Sequence, residues 1–192
     1  MKISRYAVFF LAIALLLVLS GPALADSFSN TIAVFKKSDQ VKPFFKNSYG
    51  YAVFPTVGKG GLGIGGSYGK GQVYRHGKVT GTSSLIKASI GFQAGGQAFS
   101  QMIFFQDQRA FNEFTSGEFA FDASASAVAI TVGAQAQAGT TGAAAGASAG
   151  PATGEQAARG YTKGMAVFIH AKGGLMYEAS VGGQKFSYKP IK

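Results

Sequence analysis

The chain has 192 residues, with eighteen lysines and arginines against eight acidic residues and a formal net charge of +10. It contains no cysteine, which excludes a disulfide framework, thiolate metal sites, a thiol nucleophile and a lipid attached through cysteine. Charged residues make up only 14% of the chain, so the positive excess is thinly spread, as suits a partner with an extended anionic surface such as phospholipid headgroups.

The N-terminus reads as an export signal. Lys2 and Arg5 precede an apolar run from Ala7 to Leu19, broken by Ser20, Gly21 and Pro22, and Ala23-Leu24-Ala25 fits the small-x-small cleavage rule. Thirteen apolar residues fall short of the roughly 20 that span a bilayer. Residues 1–25 are therefore expected to be a cleaved signal peptide, and the protein to be periplasmic or secreted, with peripheral membrane contact allowed. Without Lys2 and Arg5, sixteen basic residues face eight acidic ones, a net of +8. Nucleic acid is not an expected partner in that location.

Residues 26–48 form the next unit. Phe28, Ile32 and Phe35 recur at helical spacing, Ser38-Asp39 can end one helix and open another, and Pro43 suits the first turn of a short second helix. Lys36, Lys37, Lys42 and Lys46 lie among Phe35, Phe44 and Phe45. Aromatics beside lysines fit an element lying in a membrane interface. The same pattern fits a helix that buries its phenylalanines on a sheet and leaves its lysines in water.

From residue 49 to 192 the chain reads mainly as β. The stretch Tyr49-Gly-Tyr-Ala-Val-Phe-Pro is followed by glycine at 58, 60, 61, 63, 65, 66, 69 and 71. Leu62, Ile64 and Tyr68 alternate with Gly63, Gly65 and Gly69, so Gly61, Gly63, Gly65, Gly66, Gly69 and Gly71 are expected to let strands bend and pack closely. Arg75-His76-Gly77-Lys78 predicts a hairpin turn. Ser89 to Phe105 reads as one long alternation bent at Gly95-Gly96, with Ile90, Phe92, Ala94 and Ala98 on one face and Gln93, Gln97 and Gln101 on the other.

Asp107 is the expected N-cap of a short helix with Ala110, Phe111 and Phe114 inward. Phe119 to Ala138 predicts strand, with Val128, Ile130 and Val132 alternating with Ala127, Ala129 and Thr131. Residues 139–158 are Gly/Ala/Ser/Thr-rich and read as a low-complexity loop. A hairpin is expected from Met165–Ala171 and Leu175–Val181 around Lys172-Gly173-Gly174, and Gln184–Tyr188 is a last strand. The fold class expected is α+β: a strongly bent, barrel-like, mainly antiparallel sheet with short N-terminal helices and one short inserted helix.

The chemical motifs are weak. Gly61-x-Gly63-x-x-Gly66 matches a dinucleotide fingerprint, but no helix opens after it and no acid follows about 20 residues on. Gly69-Lys70 is followed by Gly71, so a phosphate-binding loop of the Walker type is absent. His76 and His170 lack metal-ligand spacing and read as structural. Asp122, among small residues, is expected to be buried with a hydrogen-bond partner. No acid/base pair or serine triad stands out, so neither an enzyme nor a cofactor is expected.

Five ordered blocks carry a resemblance. Tyr51-Ala-Val-Phe-Pro-Thr-Val-Gly-Lys-Gly-Gly-Leu-Gly-Ile-Gly-Gly-Ser-Tyr-Gly-Lys-Gly resembles the opening block of the SYLF domain, also described as an Ysc-type actin-binding domain. Ser89–Ser100, Phe104–Phe114, Asp122–Ala129 and Lys172–Phe186 resemble its glutamine-bearing strand, short helix, following strand and closing hairpin. The resemblance covers residues 50–188 and implies a non-enzymatic lipid-binding module, in which membrane contact belongs to the basic segment before the sheet. Carried onto this chain, that implies Phe35, Lys36, Lys37, Lys42, Phe44, Phe45 and Lys46, with Lys59 as a further basic residue. Here the segment is short and interrupted by Pro43. Actin enters only through the family label. The alternatives are a structural or interaction protein of the cell envelope with an envelope protein partner, and a small outer-membrane β-barrel.

Overall fold

The structure is a computed structural model that describes residues 22–91, 96–123, 125, 127–130, 160–172 and 181–192. The expected signal segment up to residue 21, residues 92–95, Thr131–Ala138, the low-complexity tract 139–158 and most of the expected arm Leu175–Val181 lie outside them.

Among the described residues two helices come first, α1 (Pro22–Lys36) and α2 (Lys42–Asn47). They precede strands β1 (Gly50–Arg75), β2 (Lys78–Gly91) and β3 (Gly96–Phe105). Helix α3 (Gln108–Phe114) follows, then β4 (Glu118–Ala120), β5 (Val128–Ala129), β6 (Met165–Lys172) and β7 (Lys185–Pro190). Sheet order is β4-β7-β2-β1-β3-β6-β5, antiparallel throughout except for the short β5–β6 pair. The sheet curls into a half-barrel, in agreement with the expected fold class.

β1 is long because it folds back on itself. Its first part, from Gly50 to Gly60, pairs with β3, and its second, from Gly63 to Arg75, pairs with β2. A Cβ on Gly50 would meet the Tyr74 carbonyl oxygen at 2.5 Å, one on Gly71 the Val53 carbonyl at 2.8 Å, and one on Gly69 the Thr56 carbonyl at 3.1 Å. As one arm advances the other retreats, so the two arms run side by side in opposite directions. The stacked rings of Tyr51 and Tyr74, 4.8 Å apart, bridge them. Gly69 and Gly71 are thus architectural, because any side chain there would strike the facing arm. Gly66 is milder, with a Cβ 3.1 Å from the Lys87 carbonyl. The packing around Gly61 and Gly63 lies outside the described residues.

Alternation along the strands divides the core in two. The concave side holds Phe54, Val57, Val73, Leu85, Phe99, Ile103, Phe105, Val167, Ile169 and Phe186. Helix α3 packs into it, with Phe111 and Phe114 against Phe105 at 5.6 and 4.9 Å. Asp107 caps that helix as expected, its carboxylate accepting from the Ala110 N–H at 2.8 Å. The convex side holds Val53, Tyr74, Met102, Phe104, Ala166 and Phe168, covered by Phe35 and Val41.

Four expectations need correction. Ser89–Phe105 is not one bent strand: β2 ends at Gly91, β3 begins at Gly96, and β1 lies between them in the sheet. The face of β3 expected to carry glutamines is an apolar one, because it also carries Phe99, Ile103 and Phe105 into the concave core, where Gln101 is fully buried. The strand expected from Phe119 is broken, since β4 ends at Ala120 on one sheet edge and β5 sits on the other. Asp122 is exposed, with its partner Lys163 exposed beside it; the ion pair sits at the surface because the chain leaves the sheet after β4 ends at Ala120.

A candidate basic surface on the N-terminal helices

The N-terminal segment is held down by its apolar residues. Phe35 and Val41 are fully buried. The Phe44 ring lies 4.9 Å from Phe168, 5.2 Å from Tyr161 and 5.7 Å from Phe104. Phe45 meets Phe104 at 4.9 Å and Tyr51 at 5.5 Å. Aromatic contacts of this kind add to the area they bury, and with Phe35 buried in the same cluster all three phenylalanines are committed to the convex side of the sheet.

The turn between the helices follows from local hydrogen bonds. The Ser38 N–H donates to the Phe35 carbonyl, and the Val41 and Lys42 N–H groups both donate to the Ser38 carbonyl, each at 3.1 Å. Pro43 in the first turn of α2 gives up an N–H that would lack a partner there. The segment expected to be interrupted by proline is thereby a tight two-helix cap.

The lysines face the other way. Lys36, Lys37, Lys42 and Lys46 are all exposed. Lys36 places its ammonium 5.4 Å from the centre of the Phe45 ring. Lys42 pairs with Asp39 at 2.5 Å, and that bond holds the Asp39 carboxyl below its ordinary value. Four lysines against one aspartate leave residues 36–47 three charges positive. Lys59 does not join them: it is half-buried opposite Gln97, roughly 25 Å along the strand from Tyr51.

α1 begins at Pro22, ahead of the expected cleavage point. Cleavage after Ala25 would remove its first turn and leave the part that carries Phe28, Ile32 and Phe35, all of which pack against the sheet.

Groups suited to catalysis are scattered. His170 is half-buried with its ring edge-on to Phe35 at 6.4 Å. Burial and then Lys172 hold its pKa below 6.5, and no carboxylate contacts it among the described residues. His76 is exposed in the β1–β2 turn, at a positive φ of 49°. Arg109 pairs with Glu113 at 3.1 Å and donates to the Lys163 carbonyl at 3.3 Å. A cavity of about 180 Å³ lies nearby, floored by Phe119, Phe121, Met165 and Val167 and rimmed by Asp122 and Lys163. Among the described residues no group of three His, Cys, Asp or Glu side chains converges to hold a metal, and no helix is long and apolar enough to cross a membrane.

Sequence reasoning missed a buried amide pair. The Gln101 Nε2 donates to the Gln184 Oε1 at 2.9 Å, and the Gln184 Nε2 returns the bond to the Gln101 Oε1 at 3.1 Å. Both side chains are buried in the concave core. Their separation of 83 positions leaves no local pattern to find.

A scan against protein-family models gives no match, and a search of the curated proteins gives none.

Proposed function

We propose that this is an exported, non-enzymatic, SYLF-like protein that associates with anionic phospholipid or envelope surfaces through the basic face of its N-terminal helices. The observation that carries the reading is the two-sided helical cap. Phe35, Phe44 and Phe45 fix it to a rigid sheet, while Lys36, Lys37, Lys42 and Lys46 project from it. A preordered set of lysines binds an anionic surface without first losing backbone freedom. Near such a surface each contributes about 1 kcal/mol, and salt weakens the contribution. Binding in this form is electrostatic docking, with the phenylalanines serving as the mount and not as the inserted wedge. The expected export signal, the net charge of +8 that remains without Lys2 and Arg5 and the five ordered blocks support the same reading.

An outer-membrane barrel would need an apolar outward band. Outward positions on β1, β2 and β7 include Lys70, Thr82, Ser84, Lys185 and Ser187, which weighs against that alternative.

The test is co-sedimentation of the purified protein with vesicles of phosphatidylcholine alone or mixed with phosphatidylglycerol. Binding is expected only to the anionic vesicles, to fall with added salt, and to weaken strongly when Lys36, Lys37, Lys42 and Lys46 are all changed to glutamine. Equal binding to neutral vesicles, or binding indifferent to salt, would refute the electrostatic mechanism.

A further inference from the structure

We infer that the outer face of β1, β2 and β7 is a second membrane-contact surface, in which Tyr68 and Ile86 enter the interface of an anionic bilayer and the lysines around them meet its phosphates. The inference rests on the anionic-surface reading above and places a contact where that reading does not.

Three large apolar side chains are more than half exposed among the described residues: Tyr68, Ile86 and Ile191, each 53%. Two of them form one patch, since Tyr68 stands directly opposite Ile86 in the β1–β2 ladder. Ile86 in turn stands opposite Lys185 of β7, so an aromatic, an aliphatic and a basic residue follow one another across three strands. Two residues along, Lys70 is opposite Ser84, and Ser84 shares a 2.6 Å hydroxyl bond with Ser187. Lys189 lies opposite Thr82. Lys70, Lys185 and Lys189 are exposed. The acid in these ladders is Glu118, out on β4 opposite Ser187.

The fold leaves this face bare for a structural reason. α1 and α2 cover the outer side where Tyr51, Val53, Phe104 and Phe168 lie, on the first arm of β1, β3 and β6. Nothing described covers the outer side of the second arm, β2 and β7. The exposed positions there would ordinarily be polar, as Thr82 and Lys70 are. A tyrosine with one wet end and an isoleucine, set among lysines, match the layered chemistry of a bilayer interface: acyl carbon for Ile86, the glycerol region for the Tyr68 ring, headgroup phosphate for the ammonium groups. The surplus of lysine over acid gives the complementarity to an anionic lipid.

The chain has no tryptophan, so Y68W makes a sole indole reporter at the patch. With vesicles of phosphatidylcholine and phosphatidylglycerol, its emission is expected to move to shorter wavelength and to be quenched by brominated acyl chains. Y68S/I86S is expected to bind these vesicles roughly tenfold or more weakly, with its thermal melt unchanged because both side chains are exposed. If the unaltered protein sediments with anionic vesicles while the Y68W emission stays put and Y68S/I86S binds as tightly, the inference is overturned and the proposed function stands. If the unaltered protein does not sediment at all, both fall. If Y68S/I86S instead converts a dimer to a monomer in sedimentation velocity, the patch is a self-association surface and the inference is overturned.

Discussion

The reciprocal bond between Gln101 and Gln184 offers the most demanding test of how the core is built. Both amides are buried, 0% and 1% exposed, and joined by two bonds of 2.9 and 3.1 Å. Changing one glutamine to leucine removes both bonds and leaves the partner's amide N–H and C=O in an apolar interior. An unsatisfied buried group costs about 1–3 kcal/mol, so with two groups orphaned each single variant should lose about 2–4 kcal/mol. Replacing both removes the orphaned groups together and adds apolar surface beside Phe99 and Phe186, so Q101L/Q184L should fall within about 1–2 kcal/mol of the unaltered protein. Urea denaturation of the four proteins closes a double-mutant cycle. The expected signature is a double variant more stable than either single one, with a coupling of at least about 2 kcal/mol. Additive losses, with a coupling near zero, would show that each amide is satisfied independently and would refute the reasoning.

Four further outcomes are expected. G71A should lower stability by about 1–3 kcal/mol, because its Cβ would fall 2.6 Å from the Phe54 ring and 2.8 Å from the Val53 carbonyl; G58A, with nothing within 4 Å, should melt unchanged or slightly higher. F35A should cost about 3–5 kcal/mol in urea denaturation, since Phe35 is fully buried; a normal melt with lost vesicle binding would instead make Phe35 a lipid anchor. His170, held below 6.5 by burial and Lys172, binds a proton more readily in the unfolded chain, so stability is fully present above that value and falls as pH drops through it. Melts at about pH 7.5 and pH 5 should differ less for H170Q than for the unaltered protein. At the alkaline end, burial pushes Tyr51 and Tyr161 up to about 12. Their contribution is present below pH 10 and is lost as the pH rises toward 12.

Much of the fold could be read along the chain because its signals are local. The Arg75–Lys78 turn, the Asp107 cap and the inward Ala110, Phe111 and Phe114 each depend on neighbours a few positions away. The glycines at 69 and 71 announced close packing, although not which backbone they approach. The candidate surface was half legible. Its residues were found by composition and helical spacing, and both a membrane element and a sheet cap fitted them. The arrangement of Phe44 and Phe45 over Phe104 and Tyr51 favours the cap for the rings and leaves the lysines outside.

By itself, then, the sequence determined the charge, the strand and helix types and the alternation that builds two apolar layers, because propensity and period act over a few residues. Only the tertiary structure decided which layer each alternating face would join. Burial of Phe99, Ile103 and Phe105 took Gln101 inward with them to meet Gln184, and the folding back of β1 set Gly71 against Phe54. The placement of the helices buried Phe35 under one half of the outer face and left Tyr68 and Ile86 uncovered on the other. Those outcomes depend on contacts between residues far apart in the chain, for which no short stretch carries a signal.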